Sequence, residues 1–322
     1  FKRNSVTPSI VETAGTVTLQ ASESVTIESA AKVSADGLKA GTITIKSDGG
    51  VTLQPDSQIS ATGINGGNVE INAAAGTLLA GGTIEARGDD GPGGRISLTG
   101  QRVGLLQRSR TDASGDTGGG IVLVGGDFQG KNPEIQNAQA TYVGPEAEIR
   151  ADALTSGDGG KAIVWSNAAT RYYVSITAKG ADSNGNGGFT EVSGKKFLDF
   201  NGLVDTSAKS GLSGKLLLDP TNIYIASSQA NATTAGMAST DNSADTSTAP
   251  NFVTSGAVQD SLLKTSTIVS ALGTNNVTVT TNNASGAGVG NVTIVDPIAY
   301  AGGTNRTLQL TAANAININA GI

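Results

Sequence analysis

Two aspartates stand side by side at Asp89-Asp90, just ahead of Gly91. Paired carboxylates are what glycoside hydrolysis and other acid–base chemistry require, so this pair is the first candidate for catalysis. The same residues also read as a turn, because Asp-Gly favours turn backbone. A second run, Asp182-Ser183-Asn184-Gly185-Asn186-Gly187, imitates the start of a calcium-binding loop. The twelfth position of such a loop calls for a glutamate; Ser193 stands there, and Glu191 is out of register. A glycine-rich turn suits this segment better than a metal site. Trp165, Tyr172 and Tyr173 make the one aromatic cluster. Outward rings would stack on sugars; filling a widened core or covering an inserted loop is the preferred reading. Gly194-Lys195-Lys196 lacks the spacing of a phosphate-binding loop. The chain has no histidine and no cysteine, which removes imidazole and thiolate chemistry and disulfides. The sequence therefore assigns no catalytic, metal-binding or cofactor-binding residue, and the expectation is a protein that is not an enzyme.

These residues ride on a repeat. Gly15, Gly41, Gly67, Gly94, Gly120, Gly160, Gly188 and Gly214 recur at intervals of 26, 26, 27, 26, 40, 28 and 26 residues. Each opens the same kind of phrase, from GTVTLQA and GTITIKS to GKAIVWS and GKLLLDP. A period of this length means stacked units that bury a shared core. Within a phrase the apolar residues alternate, which is the strand signature. The first repeat pairs Val17/Leu19, Val25/Ile27 and Val33/Ala35; the second pairs Ile43/Ile45, Val51/Leu53 and Ile59/Ala61. Turn residues separate them, as in Ser47-Asp48-Gly49-Gly50. Three short strands in about 26 residues predict one coil of an all-β parallel β-helix. Eight coils at about 4.8 Å each give a rod of roughly 40 Å. A β-sandwich also has many short strands, but it needs no constant three-strand period. The 40-residue interval implies an insertion within about 125–145.

The texture changes along the chain. Residues 1–226 hold regular coils, and 227–250 are small and polar without alternation, a loop or linker. Residues 251–322 resume with apolar positions 258, 262, 263, 268, 269 and 272, which predict a short helix near 256–272 that stops at Gly273. Further strands then follow. The 322 residues carry a net charge of −6, 15% charged residues, 4% aromatics and 45 glycines. A narrow core of small aliphatics fits that composition. No basic cluster is long enough to track nucleic acid, and Arg102, Arg108 and Arg110 read as solvated strand faces or turns. No apolar run approaches the ~20 residues of a spanning helix. The chain opens Phe-Lys-Arg without methionine, so a piece of a longer protein is expected. Asn-x-Ser/Thr sequons stand at Asn231, Asn276, Asn283, Asn291 and Asn305.

Residues 159–226 resemble the filamentous haemagglutinin-like exoproteins of bacterial two-partner secretion. The strings that carry this are Val164-Trp165, GGFTEVSG (187–194), GLVDTSA (202–208) and LLLDPTNI (216–223). SALGTNNVTVTT, GNVTIVDPIAY and LTAANAININA are similar to the segment that follows in that family. The resemblance implies a right-handed parallel β-helix in a large secreted or surface-tethered adhesin. It implies export through an outer-membrane β-barrel transporter, and roles in haemagglutination, aggregation, biofilm or virulence. The family's secretion domain carries Asn-Pro-Asn motifs, whereas the one Asn-Pro here, Asn132-Pro133, precedes Glu134. The chain is thus expected to be an internal shaft segment, with the transporter held by another part of the protein. Glycans, cell surfaces or other copies of the chain are the expected further partners. Two other classes remain open: a self-associating structural fibre and a carbohydrate-active β-helix enzyme.

Overall fold

Alternation puts every second Val, Ile or Leu against a shared interior, and stacking makes that interior continuous. The computed structural model describes residues 15–106, 108–238, 250–252, 260–281, 288–302 and 305–322. It is a parallel β-solenoid of about ten turns with three faces. The first face runs from Thr16–Ala21 up to Leu308–Thr311. Its inward column reads Val17, Ile43, Val69, Ile96, Val122, Ala162, Thr190, Leu216, Val277 and Leu308, all in parallel register. The third face runs from Lys32–Ser34 to Leu203–Asp205 in seven strands. Val33, Ile59, Ile84, Thr111, Ile149, Ile176 and Val204 form its inward column. The second face lies between the two. Each strand pair named above for the first and second repeats lies where the alternation puts it.

The glycine beat has a steric cause. A Cβ on Gly94 would lie 2.0 Å from the carbonyl oxygen of Gly67. The same clash recurs for Gly120 on Gly94 at 2.2 Å, Gly160 on Gly120 at 2.1 Å, and Gly188 on Gly160 at 2.1 Å. The corner is where successive coils come closest, and no side chain fits there.

The upper coils depart from simple stacking. After the strand Asn222–Ala226 comes a short helix, α1 (Gln229–Thr234), inside the stretch the sequence reads as a loop. The chain then returns as the strand Asp260–Lys264, which pairs in parallel with Asn222–Ala226. Ser261 Oγ accepts from Leu198 N at 2.9 Å, so this later strand is seated between Phe197–Phe200 and Asn222–Ala226. The helix α2 (Thr265–Leu272) follows, capped at Gly273 as expected. The predicted helix near 256–272 is therefore only half helix. Leu262 and Leu263 are buried strand residues, because an open edge of the second face offers them a ladder. Residues 253–259, including position 258, lie outside the described residues.

α2 takes the place of the next strand on the third face, whose upper edge would otherwise have unpaired backbone groups. Fully buried Asn275 closes it. Its Nδ2 donates to Val204 O at 2.8 Å, and its Oδ1 accepts from Thr206 N at 2.8 Å and Thr206 Oγ1 at 2.7 Å. The same Nδ2 donates to Ala271 O at 2.7 Å, tying the helix to the edge.

Two substitutions test this architecture by denaturant unfolding. Ile43→Asp places an unpaired charge in the core and is expected to cost more than about 4 kcal/mol; an unchanged midpoint would mean Ile43 faces out. Asn275→Leu keeps the bulk but strands the buried Thr206 N–H and takes one donor from Val204 O, at about 1–3 kcal/mol. A stability equal to wild type would show that the edge is satisfied some other way.

Candidate functional site

On the first face the outward residues are mostly Thr, Ser and Asn, until the middle coils. There Leu123, Ile163 and Trp165 point outward yet are fully buried. What covers them is the insertion, residues 125–139, laid across the outside as a strap. Its Ile135 packs on this outer cluster, as do Ile121 and Phe189. Phe128 meets Phe189 edge-on, with ring centres 5.7 Å apart. Gly126 and Gly130 lie flat on the indole of Trp165; a Cβ on either would come within 2.6 Å of the ring. Gln129, between them, holds the left-handed conformation at φ 52°, unusual for a residue with a side chain. That conformation turns both its N–H and its side-chain amide toward the shaft.

Polar ties fix the strap over several coils. Gln136 bridges down to an earlier coil: its Oε1 accepts from Asn72 Nδ2 at 2.9 Å, and its Nε2 donates to Ala74 O at 2.7 Å. Lys161 Nζ pairs with Asp127 Oδ1 at 2.7 Å. Gln129 N donates to Glu191 Oε2 at 3.0 Å, and Gln129 Nε2 to Asp219 Oδ2 at 3.0 Å. Glu191 and Asp219 are both fully buried. Burial pushes the Glu191 carboxyl up to about 8; the Asp219 charge adds to this, while the Gln129 N–H, Ser193 and Lys161 oppose it. Burial also pushes Asp127 upward, but hydrogen bonds from Asn132, Lys161 and the Phe128 N–H outweigh it and hold Asp127 at about 2. The Glu191 carboxyl is thus held protonated at neutral pH, where the Gln129 N–H meets it. Its role here is to clamp.

The residues singled out in the sequence lie apart from this cluster, except Trp165 and Glu191. Asp89 and Asp90 are exposed in a turn pinned by backbone bonds to Gly63 O and Ile64 O. They rim an open groove of 450 Å³ with Asp36, Glu85 and Arg87. In the 182–187 loop the polar atoms stitch coil to coil: Asp182 pairs with Lys209, Asn184 Oδ1 accepts from Gly157 N, and Asn186 Oδ1 accepts from Leu212 N. Glu191 lies beneath the strap, on a neighbouring strand. Trp165, Tyr172 and Tyr173 do not form one cluster, because strand alternation sends them to different sides. Trp165 lies under the strap, as the preferred reading has it. Tyr172 stacks on Phe200 in the core with ring centres 5.1 Å apart, and Tyr173 donates to Asp199 Oδ2 at 2.6 Å. Arg108 pairs with Glu146 at 3.4 Å in an exposed turn, Arg110 with Asp112 at 2.5 Å on the third face, and Arg102 is exposed. Of the sequons, Asn276 spends its amide on Ser213 O and Thr307 N, while Asn231 and Asn305 are exposed and Asn283 lies outside the described residues.

Sequence reasoning missed Gln129, Asp127, Lys161 and Asp219 as a unit. The available signal was the break in outward polarity at Leu123, Ile163 and Trp165, which only a covering segment explains.

No protein-family model matches the chain, and no curated protein matches it. Among solved structures it is similar to the crystal structure of the HMW1 secretion domain from Haemophilus influenzae, at 23% identity and a TM-score of 0.41. The match covers 62% of this chain and 64% of that one, under two thirds of its length. Among the described residues no group of three or more acidic, histidine or cysteine side chains could hold a metal ion, and no helix is long and apolar enough to cross a membrane.

The Glu191 proton predicts a pH dependence. The folded state keeps it up to about pH 8, whereas an unfolded glutamic acid releases it near 4.5. The Glu191 contribution to stability should therefore be full below 4.5 and fall between 4.5 and 8, by on the order of a few kcal/mol. Glu191→Gln keeps the acceptor for Gln129 N and should flatten that part of the profile. Equal slopes for variant and wild type in thermal melts across this range would show that Glu191 is ionised when folded.

Proposed function

We propose that this chain is part of the β-helical shaft of a large secreted bacterial adhesin and carries no catalytic activity. The observation that carries the reading is the in-register stack itself, about ten turns along one axis. Such a stack converts chain length into reach. The strings at 159–226 that resemble two-partner exoproteins support the same reading. On it, the protein works outside the cell, after export through a β-barrel transporter that holds another part of the molecule. The first-face exterior offers many hydroxyl and amide groups and few charges, which suits contacts with glycans and cell surfaces. The turn setting of Asp89 and Asp90 favours a non-catalytic protein over a carbohydrate-active enzyme, as does the closed cover over Glu191 and Asp219.

Beads coated with the folded protein should adhere to cultured epithelial cells, and soluble protein should compete. Adherence no better than that of albumin-coated beads would remove the adhesin reading. Turnover of any polysaccharide, lost in Asp89→Asn or Asp90→Asn, would replace it with an enzyme.

A further inference from the structure

Where α2 stands in for a strand, its packing is incomplete. Ile268, Ala271 and Leu272 seal the helix against the shaft; beside them, Thr267, Ser270 and Ala271, with Thr274 just past the helix end, border the third face. These bordering residues are small, and they leave a cleft of 290 Å³ against the strands Ser175–Thr177 and Leu203–Asp205.

The floor of that cleft breaks the pattern of its column. The outward residues below are Lys32, Gln58, Thr83, Arg110, Glu148 and Ser175, all polar; the next is Leu203, 64% exposed. Beside it, Lys179 Nζ pairs with Asp205 Oδ2 at 3.1 Å, both partly open to solvent. Asp205 is held ionised: burial raises its pKa, but Ser207 and then Lys179 more than reverse this. The cleft thus combines an aliphatic platform, a donor–acceptor pair without net charge, and hydroxyls on the facing helix.

We propose that this cleft binds a single neutral sugar ring, the terminal residue of a glycan. The C–H face of a pyranose covers Leu203, and its hydroxyls reach Lys179, Asp205 and the α2 hydroxyls. A neutral ligand fits because an anion would meet the Asp205 carboxylate and a free cation would meet Lys179. The size fits as well, at the lower end of the roughly 300–1,000 Å³ that small-ligand sites span. A small apolar contact flanked by a few placed polar groups is how such sites fix orientation. The proposal rests on the adhesin reading and gives it a recognition site.

The test is an NMR titration of the folded protein with the methyl glycosides of galactose, glucose, mannose and N-acetylglucosamine, read at the Leu203 methyls. At least one glycoside should shift those methyls saturably. Leu203→Ala should weaken it by roughly tenfold or more, as loss of an apolar contact does. Ser270→Phe, at a solvent-open position on the rim of the cleft, fills it and should abolish the shift with the melting temperature kept. Silence from all four glycosides would overturn the proposal, as would undiminished binding by the Ser270→Phe protein. Bead adherence separates the two readings. Adhering beads without glycoside binding remove this site and leave the adhesin. Binding at Leu203 with beads that do not adhere leaves the site and removes the adhesin.

Discussion

The corner glycines set the terms for everything else. Each carbonyl oxygen in that column occupies the space where the next coil would carry a Cβ, so the coils can approach only if the corner has no side chain. With the corners that close, the strands of all three faces fall at hydrogen-bonding distance together. Inward Val, Ile and Leu then stack on their own kind. Their burial, about 1.5–3 kcal/mol for each large aliphatic, does not depend on one central core. Loss of one corner would disturb the ladders on either side of it before it disturbed the apolar columns.

A regular ladder leaves no buried backbone group unmatched, so the costs gather at its interruptions. Buried amides and acids appear at those places. Asn275 takes over the edge where the third face stops. Asn222 donates to Asp260 at 2.9 Å and accepts from Gly290 N and Asn291 N, holding together the segments that meet around the returning strand. Glu191 and Asp219 receive the Gln129 donors of the strap. In each case a side chain supplies what a neighbouring strand supplies elsewhere.

What the sequence reveals follows the same division. The strands, the inward register at Ile43, Val51 and Ile59, the insertion near 125–145 and the stop at Gly273 are local in cause, so the alternation and turn residues disclose them. The seating of residues 260–264 beside 222–226 is not local. Leu262 and Leu263 suit either a helix or a buried strand, and the vacant edge that decides between them belongs to a distant part of the chain. The Glu191 clamp was hidden for a related reason. Its partner Gln129 lies in an insertion with no periodicity, so nothing in the repeat points from one to the other. The aromatic residues misled because nearness in sequence was read as nearness in space, whereas Tyr172 and Tyr173 are adjacent and face opposite ways.

The returning strand also fixes an order of events. A solenoid can grow like a zipper, each coil templating the next. That scheme fails at Asn222–Ala226, because the layer directly beneath it is made from residues the chain supplies later. When a chain emerges from its N-terminal end, the Phe197–Phe200 edge must wait until Asp260–Lys264 is available before the coils above can settle. The spatial sequence of layers and the temporal sequence of their synthesis part company here. Growth is therefore processive up to that layer and must pause there.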